Sequence, residues 1–295
     1  MNYLWQERPK ANPAIKSVSM SRQQAAGVTR TPAAAPLELK TAFFNYRTME
    51  PGIGYMDFYN MWDGFSSGRR FKNALDAMFR RVASDHPRVL IIDIRNNGGG
   101  DDGIAGELFR HFAEKPFRLM GATQVKRSAE LRAAGKSMIR VPFRWLPLQY
   151  FFPDGRQYYR GDIRSLAPSV EEAVQKQERA EPFFAGPVCV LTGRFTFSAA
   201  AQMADAVKTY GLAVIVGENT GGRPNSFGNP FPFVLPHSGL SLEIASSRAV
   251  RANGDVTDVN SVIPDVNVRT TAEDIRTGFD PVLERAKSCP ARTIR

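Results

Sequence analysis

The chain has 295 residues, 43% of them hydrophobic, which is enough length and apolar material for one large core or two modest ones. Its longest apolar runs, such as 89–92 and 212–216, are strand-sized and well short of the roughly 20 residues of a membrane-spanning helix, so no membrane partner is expected. The formal charge of +10 raises nucleic-acid binding, but residues 1–37 alone carry Arg8, Lys10, Lys16, Arg22 and Arg30 against the single acid Glu7, and no recognition motif accompanies the remainder; nucleic acid is therefore not an expected partner either.

Residues 1–37 are rich in Ala, Pro, Gln and Ser without periodicity and cannot bury enough surface to offset the entropy of ordering, so they read as a disordered basic tail ahead of a domain at 38–295. The first residues lack the apolar stretch of a secretory signal, which makes a cytoplasmic location the literal expectation. From Leu37, LELKTAFFNYR alternates like a strand. Pro51-Gly52 punctuates, and IGYMDFYNM reads as a second strand ending at the Trp62-Asp63-Gly64 turn, in hairpin-like order. In RRFKNALDAMFRRVAS (69–84), Phe71, Leu75, Met78, Phe79 and Val82 fall at three- and four-residue spacing with basic residues between them, which predicts an amphipathic helix. His86-Pro87 ends it, and VLIIDI follows as a continuous apolar run, the pattern of a parallel strand covered on both faces.

After Gly98–Gly100 the stretch 103–113 is helical in pattern, and the same grammar recurs further on. PVCVLT (187–192) is a buried strand, RFTFS a sharp turn, AAAQMADAVKTYG a helix ending at Gly211, and LAVIVG the next strand. Alternating strands and helices predict an α/β layered domain. Residues 121–186 are less regular and could be an insertion over the site. Cys189 and Cys289 are the two cysteines, and Cys189, inside PVCVLT, reads as a small buried hydrophobe with no disulfide framework implied.

Three segments could carry chemistry. Ser198 sits where a buried strand meets the first turn of a helix, whose unsatisfied N–H groups and partial positive charge favour a developing oxyanion; the local sequence by itself fits a plain N-cap better, since serine is among the preferred N-cap residues. The NNGGG loop (96–100) follows a buried strand, and its glycines permit close backbone approach to a ligand or simply a tight turn; it has neither the dinucleotide nor the Walker spacing. GENTGGRPNSFG (217–228) follows LAVIVG, on the same expected edge of the sheet, where parallel α/β sheets collect their ligands. No His/Cys/carboxylate cluster has ligand spacing, so no metal or organic cofactor is expected.

Taken in order and at these intervals, VLIIDIRNNGGG, GPVCVLTGRFTFSAAAQMADAVK, AVIVGENTGGRPNSFG, FVLPHSGLSLEIASS and VIPDVNV resemble the catalytic domain of the tail-specific (C-terminal-processing) serine proteases, more closely the branch related to tricorn core protease and interphotoreceptor retinoid-binding protein, over about 52–283. The resemblance implies an α/β fold of the Clp protease/crotonase type, with strand-strand-helix units in a spiral and a mainly parallel central sheet. It implies hydrolysis of a peptide or protein substrate through an acyl-enzyme on Ser198, with an oxyanion hole from the N–H of Ala199 and the Gly98/Gly99 loop, and a substrate loop at Gly221, Gly222 and Arg223.

The pattern departs from the family at the general base. Where one branch has a lysine this chain has Arg223, which stays protonated and offers no acceptor. The histidine motif of the tricorn-like branch has no counterpart among His86, His111 and His237; His237, in the loop after the substrate loop, is the nearest substitute, and the resemblance sets the acidic partner near Asp258. Asp93 is expected to anchor the glycine loop and Asp265 to be a structural turn residue. Two explanations fit the missing base: an N-terminally truncated gene product, whose relatives are usually exported, or a degenerate homologue that binds peptides without cleaving them. A crotonase-like acyl-thioester enzyme would need a binding loop that the sequence does not offer. Oligomerisation is left open.

Overall fold

A strand that is apolar at every position must be covered on both faces, and the run 89–94 is the axis around which this fold is built. A computed structural model describes residues 38–49, 52–64, 68–126, 163–166, 179–235 and 237–289. The first half comprises β1 (Leu39–Lys40), β2 (Phe44–Thr48), β3 (Ile53–Phe58), α1 (Arg69–Asp85), β4 (Val89–Asp93), α2 (Gly103–Phe109), β5 (Ala122–Lys126) and β6 (Ile163–Leu166). The second comprises β7 (Val188–Thr192), α3 (Ala199–Tyr210), β8 (Val214–Gly217), β9 (Ser226–Val234), β10 (Ser241–Val250), β11 (Val266–Asn267), α4 (Ala272–Thr277) and α5 (Pro281–Lys287).

The larger sheet has seven strands in the order β1-β2-β3-β4-β7-β8-β11. β2 and β3 pair antiparallel, as their hairpin-like order predicts, and every pairing from β3 to β11 is parallel. Side chains alternate across the strands. Leu90, Ile92 and Val190 enter a core with Phe71, Leu75, Met78 and Phe79 of α1 and Met203, Ala204 and Val207 of α3. Val89, Ile91, Cys189 and Leu191 point to the opposite face, where Val282 and Ala286 of α5 cover them. Both faces are therefore dry, which is why β4 and β7 read as unbroken apolar runs. A second sheet of four strands, β6-β5-β10-β9, is antiparallel throughout.

The expected tail 1–37, and within the expected insertion residues 127–162 and 167–178, lie outside the described residues. The helix expected at 103–113 stops at Phe109, and the strand expected at 212–217 begins at Val214. No helix among the described residues is long and apolar enough to cross a membrane.

The reading of Cys189 as a lone buried hydrophobe is incomplete. Cys189, fully buried in β7, forms a disulfide with Cys289 just beyond α5, across a sequence separation of 100 residues. The apolar surroundings fit either role; the partner is supplied by α5 returning to the sheet, which no local pattern announces. A second tie holds the same helix. Arg95 donates to Asp93 at the end of β4 and to Asp280, the N-cap of α5. Asp93 also accepts from the Arg95 backbone and from Tyr55, so it anchors the loop after β4, as expected.

Candidate active site

The parallel strands β4, β7 and β8 end at one edge of the sheet, and the three loops singled out in the sequence leave from that edge. The turn after β7 is built on Thr196, a fully buried side chain that donates to the Ile94 carbonyl and accepts from the Gly193 amide. Phe197 then donates its N–H to the Asn97 carbonyl at 3.0 Å, joining this turn to the glycine loop.

Ser198 follows, exposed, with φ 48° and ψ −127°, a conformation forbidden to most L-residues. It occupies the N-cap position of α3, yet its side chain makes no capping hydrogen bond. The plain N-cap reading therefore does not hold: capping requires extended backbone and an inward-turned hydroxyl, and this residue has neither. A sharp, strained turn from strand to helix that displays a hydroxyl is the arrangement used to present a serine nucleophile.

The other two loops close on Ser198. A Cβ on Gly99, where φ is +95°, would lie 2.7 Å from the Ser198 Cβ and 2.7 Å from the Ala199 amide nitrogen. A Cβ on Gly222 would lie 2.9 Å from the Ser198 nitrogen and 2.9 Å from the Phe197 Cα. Both positions tolerate only a hydrogen, so glycine here is a requirement of packing. Gly221 is pressed in the same way against the Arg194 carbonyl, while Arg223 is exposed beside them. Thr220 holds this loop by donating its hydroxyl to the Gly222 carbonyl at 2.8 Å and exchanging two hydrogen bonds with Val262.

Of the expected oxyanion donors, the N–H groups of Ala199 and Gly98 have no acceptor among the described residues, whereas the Gly99 N–H donates to Asn97 Oδ1 at 2.9 Å. Gly99 thus contributes its lack of a side chain, with its N–H already engaged. Beyond the glycine loop, burial and the neighbouring Asp101 charge push the Asp102 carboxyl above its ordinary pKa. Trp62, Phe195 and Phe197 are all more than half exposed around these loops.

The structure does not assemble the remaining expected residues. His237 lies exposed in the turn joining β9 to β10, beyond a nine-residue strand whose length is about 26 Å at the usual rise per residue. β9 begins at Ser226, next to the Gly221–Arg223 loop in sequence, and His237 lies past its other end. Asp258 is not paired with any histidine: its carboxylate meets Arg251 and accepts from the Asn260 backbone and side chain. Arg251 is also held by the buried Asp205 of α3, so this acid belongs to an ion cluster that fixes the loop after β10. Asn225 ties that loop to the Gly221–Arg223 loop by donating to the carbonyls of Asp255 and Asp258. His86 is the left-handed C-cap of α1, and His111 is buried and stacked on Phe79. Asp265 accepts from the Ile215 amide and pairs with Lys208, a structural role as expected.

Asn97, Thr196, Thr220, Asn225 and the Arg251 cluster escaped the sequence reading. The signal available for Asn97 was its place two residues before Gly99, where an Asn side chain can reach the backbone two residues on.

Comparison with known proteins supplies a context for this geometry. The model of Peptidase family S41 matches residues 52–268. An uncharacterized protein of Chlamydia muridarum is 27% identical over 241 residues, which is 72% of this chain and 39% of that protein. A protein of Chlamydia trachomatis serovar D is 27% identical over 244 residues, 72% of this chain and 40% of its own length. The chain thus spans about two fifths of the curated relatives it matches. Among solved structures, a putative peptidase from Parabacteroides merdae superimposes with a TM-score of 0.54 at 23% identity, over 85% of this chain and 65% of that one. Mature CPAF in complex with lactacystin gives a TM-score of 0.58 at 19% identity, over 86% of this chain and 56% of the other.

Proposed function

Because the chain belongs to peptidase family S41, with the mainly parallel Clp/crotonase-like α/β fold of that family, we propose that it forms the nucleophile-bearing part of a serine peptidase acting on peptide or protein substrates. The observation that carries this reading is Ser198, held at φ 48° with its hydroxyl uncommitted to capping and enclosed by Gly99 and Gly222. In the reaction Ser198 Oγ attacks the substrate carbonyl carbon and gives its proton to a base. The carbonyl oxygen becomes an oxyanion facing the N–H groups of Ala199 and Gly98. The C–N bond then breaks with the proton passing to the leaving amine, and water releases the acyl group from Ser198.

In this reading the proton acceptor is a group outside the described residues. His86 closes a helix, His111 is locked in the core, His237 lies past the far end of β9, and Arg223 cannot accept a proton. The same facts favour one second reading, a homologue that binds peptides at this edge without cleaving them. Labelling with a fluorophosphonate, read by intact mass on the parent and on Ser198→Ala, separates the two. Labelling confined to the parent supports the peptidase; none in either supports binding alone.

The buried Cys189–Cys289 bond bears on location. Structural disulfides form and persist in oxidising compartments, so the protein is proposed to work in an exported setting and not in the cytoplasm. Alkylation of thiols in whole cells before lysis tests this: free thiols at both cysteines would sink the idea.

A further inference from the structure

Asn97 has no chemical part in the reaction just described, yet four of its groups are engaged, its N–H donating to the Ile94 carbonyl at 3.1 Å. Its side chain is fully buried. Nδ2 donates to the Phe58 carbonyl at the end of β3, 2.9 Å away. Oδ1 accepts the Gly99 N–H at 2.9 Å. Its backbone carbonyl accepts the Phe197 N–H, one residue before Ser198, at 3.0 Å.

These bonds determine more than the contacts themselves. A peptide unit is planar and trans, so its carbonyl and N–H point in opposite directions. Fixing the Asn97 carbonyl on Phe197 therefore fixes the direction of the Gly98 N–H in the same plane, and fixing the Gly99 N–H on Oδ1 fixes the plane between Gly98 and Gly99. Both planes flanking Gly98 are held by one residue. The same residue joins them to the backbone that carries Ser198, and Gly99 lies against Ser198 with room only for a hydrogen.

We propose that Asn97 is a positioning residue that holds the Gly98–Gly99 backbone in register with Ser198, so that the Gly98 N–H is oriented before a substrate arrives. The proposal rests on the nucleophile reading of Ser198 and adds to it. A donor that must be reoriented during the reaction loses the advantage of preorganisation, and small misplacements of such groups are costly in rate while substrate affinity is little changed.

The test compares the parent protein with Asn97→Ala and Asn97→Asp in two independent measurements. The first is fluorophosphonate inactivation, resolved into KI and the limiting rate kinact. Asn97→Ala is expected to lower kinact by roughly 10- to 100-fold with KI unchanged. A folded Asn97→Ala whose kinact stays within about twofold of the parent overturns the proposal. The second is amide hydrogen exchange at Gly99, which needs no activity. Exchange there should quicken by at least roughly tenfold in Asn97→Ala and stay slow in Asn97→Asp, which keeps the acceptor oxygen. If Asn97→Ala does not fold, Asn97→Asp carries the test alone: fast exchange at Gly99 in that folded variant overturns the proposal. If the parent fails to react with the probe, the nucleophile reading has failed on its own, and unchanged Gly99 protection in Asn97→Ala still overturns the tether.

Discussion

Gly222 approaches Ser198 so closely that a Cβ on it would lie 2.9 Å from the Ser198 amide nitrogen and 3.0 Å from the Ala201 Cβ. Two elements remote in sequence, the turn after β7 and the loop after β8, thereby share one packing surface. Because the obstructing atoms are mostly backbone, they cannot swing aside. Gly222→Ala is expected to destabilise the fold by about 1–3 kcal/mol through overpacking and to slow probe labelling by roughly 10- to 100-fold. Urea unfolding and labelling kinetics check the two effects separately.

The backbone of Ser198 predicts an unusual stability pattern. A non-glycine residue at φ 48° and ψ −127° carries strain of about 1–3 kcal/mol, which glycine relieves and alanine does not. Allowing for the greater chain entropy of glycine, Ser198→Gly should be more stable than Ser198→Ala by about 1 kcal/mol. Equal unfolding midpoints for the two variants would show that the turn is unstrained.

Removing the Cys189–Cys289 bond should be costly because the loop it closes is long. With a separation of 100 residues, the chain-entropy model gives about 4–5 kcal/mol for the paired Cys189→Ala and Cys289→Ala substitutions. Since Cys189 is fully buried, mild reductant should leave the folded protein oxidised and act only after denaturant opens the sheet. Thiol counting with and without denaturant provides the check.

Asp258 distinguishes two accounts of its loop. If it oriented a catalytic histidine, Asp258→Asn would reduce activity by roughly 10⁴-fold. As a partner of Arg251 it should alter labelling by less than about tenfold. Arg251→Met, in contrast, strands the buried Asp205 carboxylate and is expected to cost about 3–5 kcal/mol. Denaturation and labelling of these two variants decide between the accounts.

His111 makes stability depend on pH near neutrality. Burial lowers its pKa, against the opposing influence of the Pro182 carbonyl, which accepts from Nδ1, and of Asp76; Lys72 and Arg110 add to the lowering. The unfolded chain therefore takes up a proton that the folded state resists. The stability this group contributes is fully present above the ordinary histidine range near 6.5 and is lost as pH falls through that range toward the lower folded value. The drop in urea midpoint between pH 7 and pH 5 should be smaller in His111→Gln than in the parent; an equal drop would place the dependence on other groups.

Much of this molecule was legible without coordinates. The apolar period at Phe71, Leu75, Met78 and Phe79 determined α1, and the unbroken runs at β4 and β7 determined that both faces of the sheet are covered, because these signals are local and the burial they require is the same in any fold that satisfies them. Glycines at positions 98–100 and 221–222, and a serine at a strand-to-helix junction, likewise marked the loops that pack together at one edge of the sheet. What only the tertiary structure decided is which remote groups meet. Cys289 finds Cys189, Asp205 claims Arg251, and Asn97 joins Phe58 to Phe197, each by a contact between segments distant in the chain. Such pairings leave no periodicity behind, since a side chain's partner is set by how layers stack and where strands end. For the same reason the sequence could name His237 as a substitute base, while the structure places it past the far end of the nine-residue strand β9.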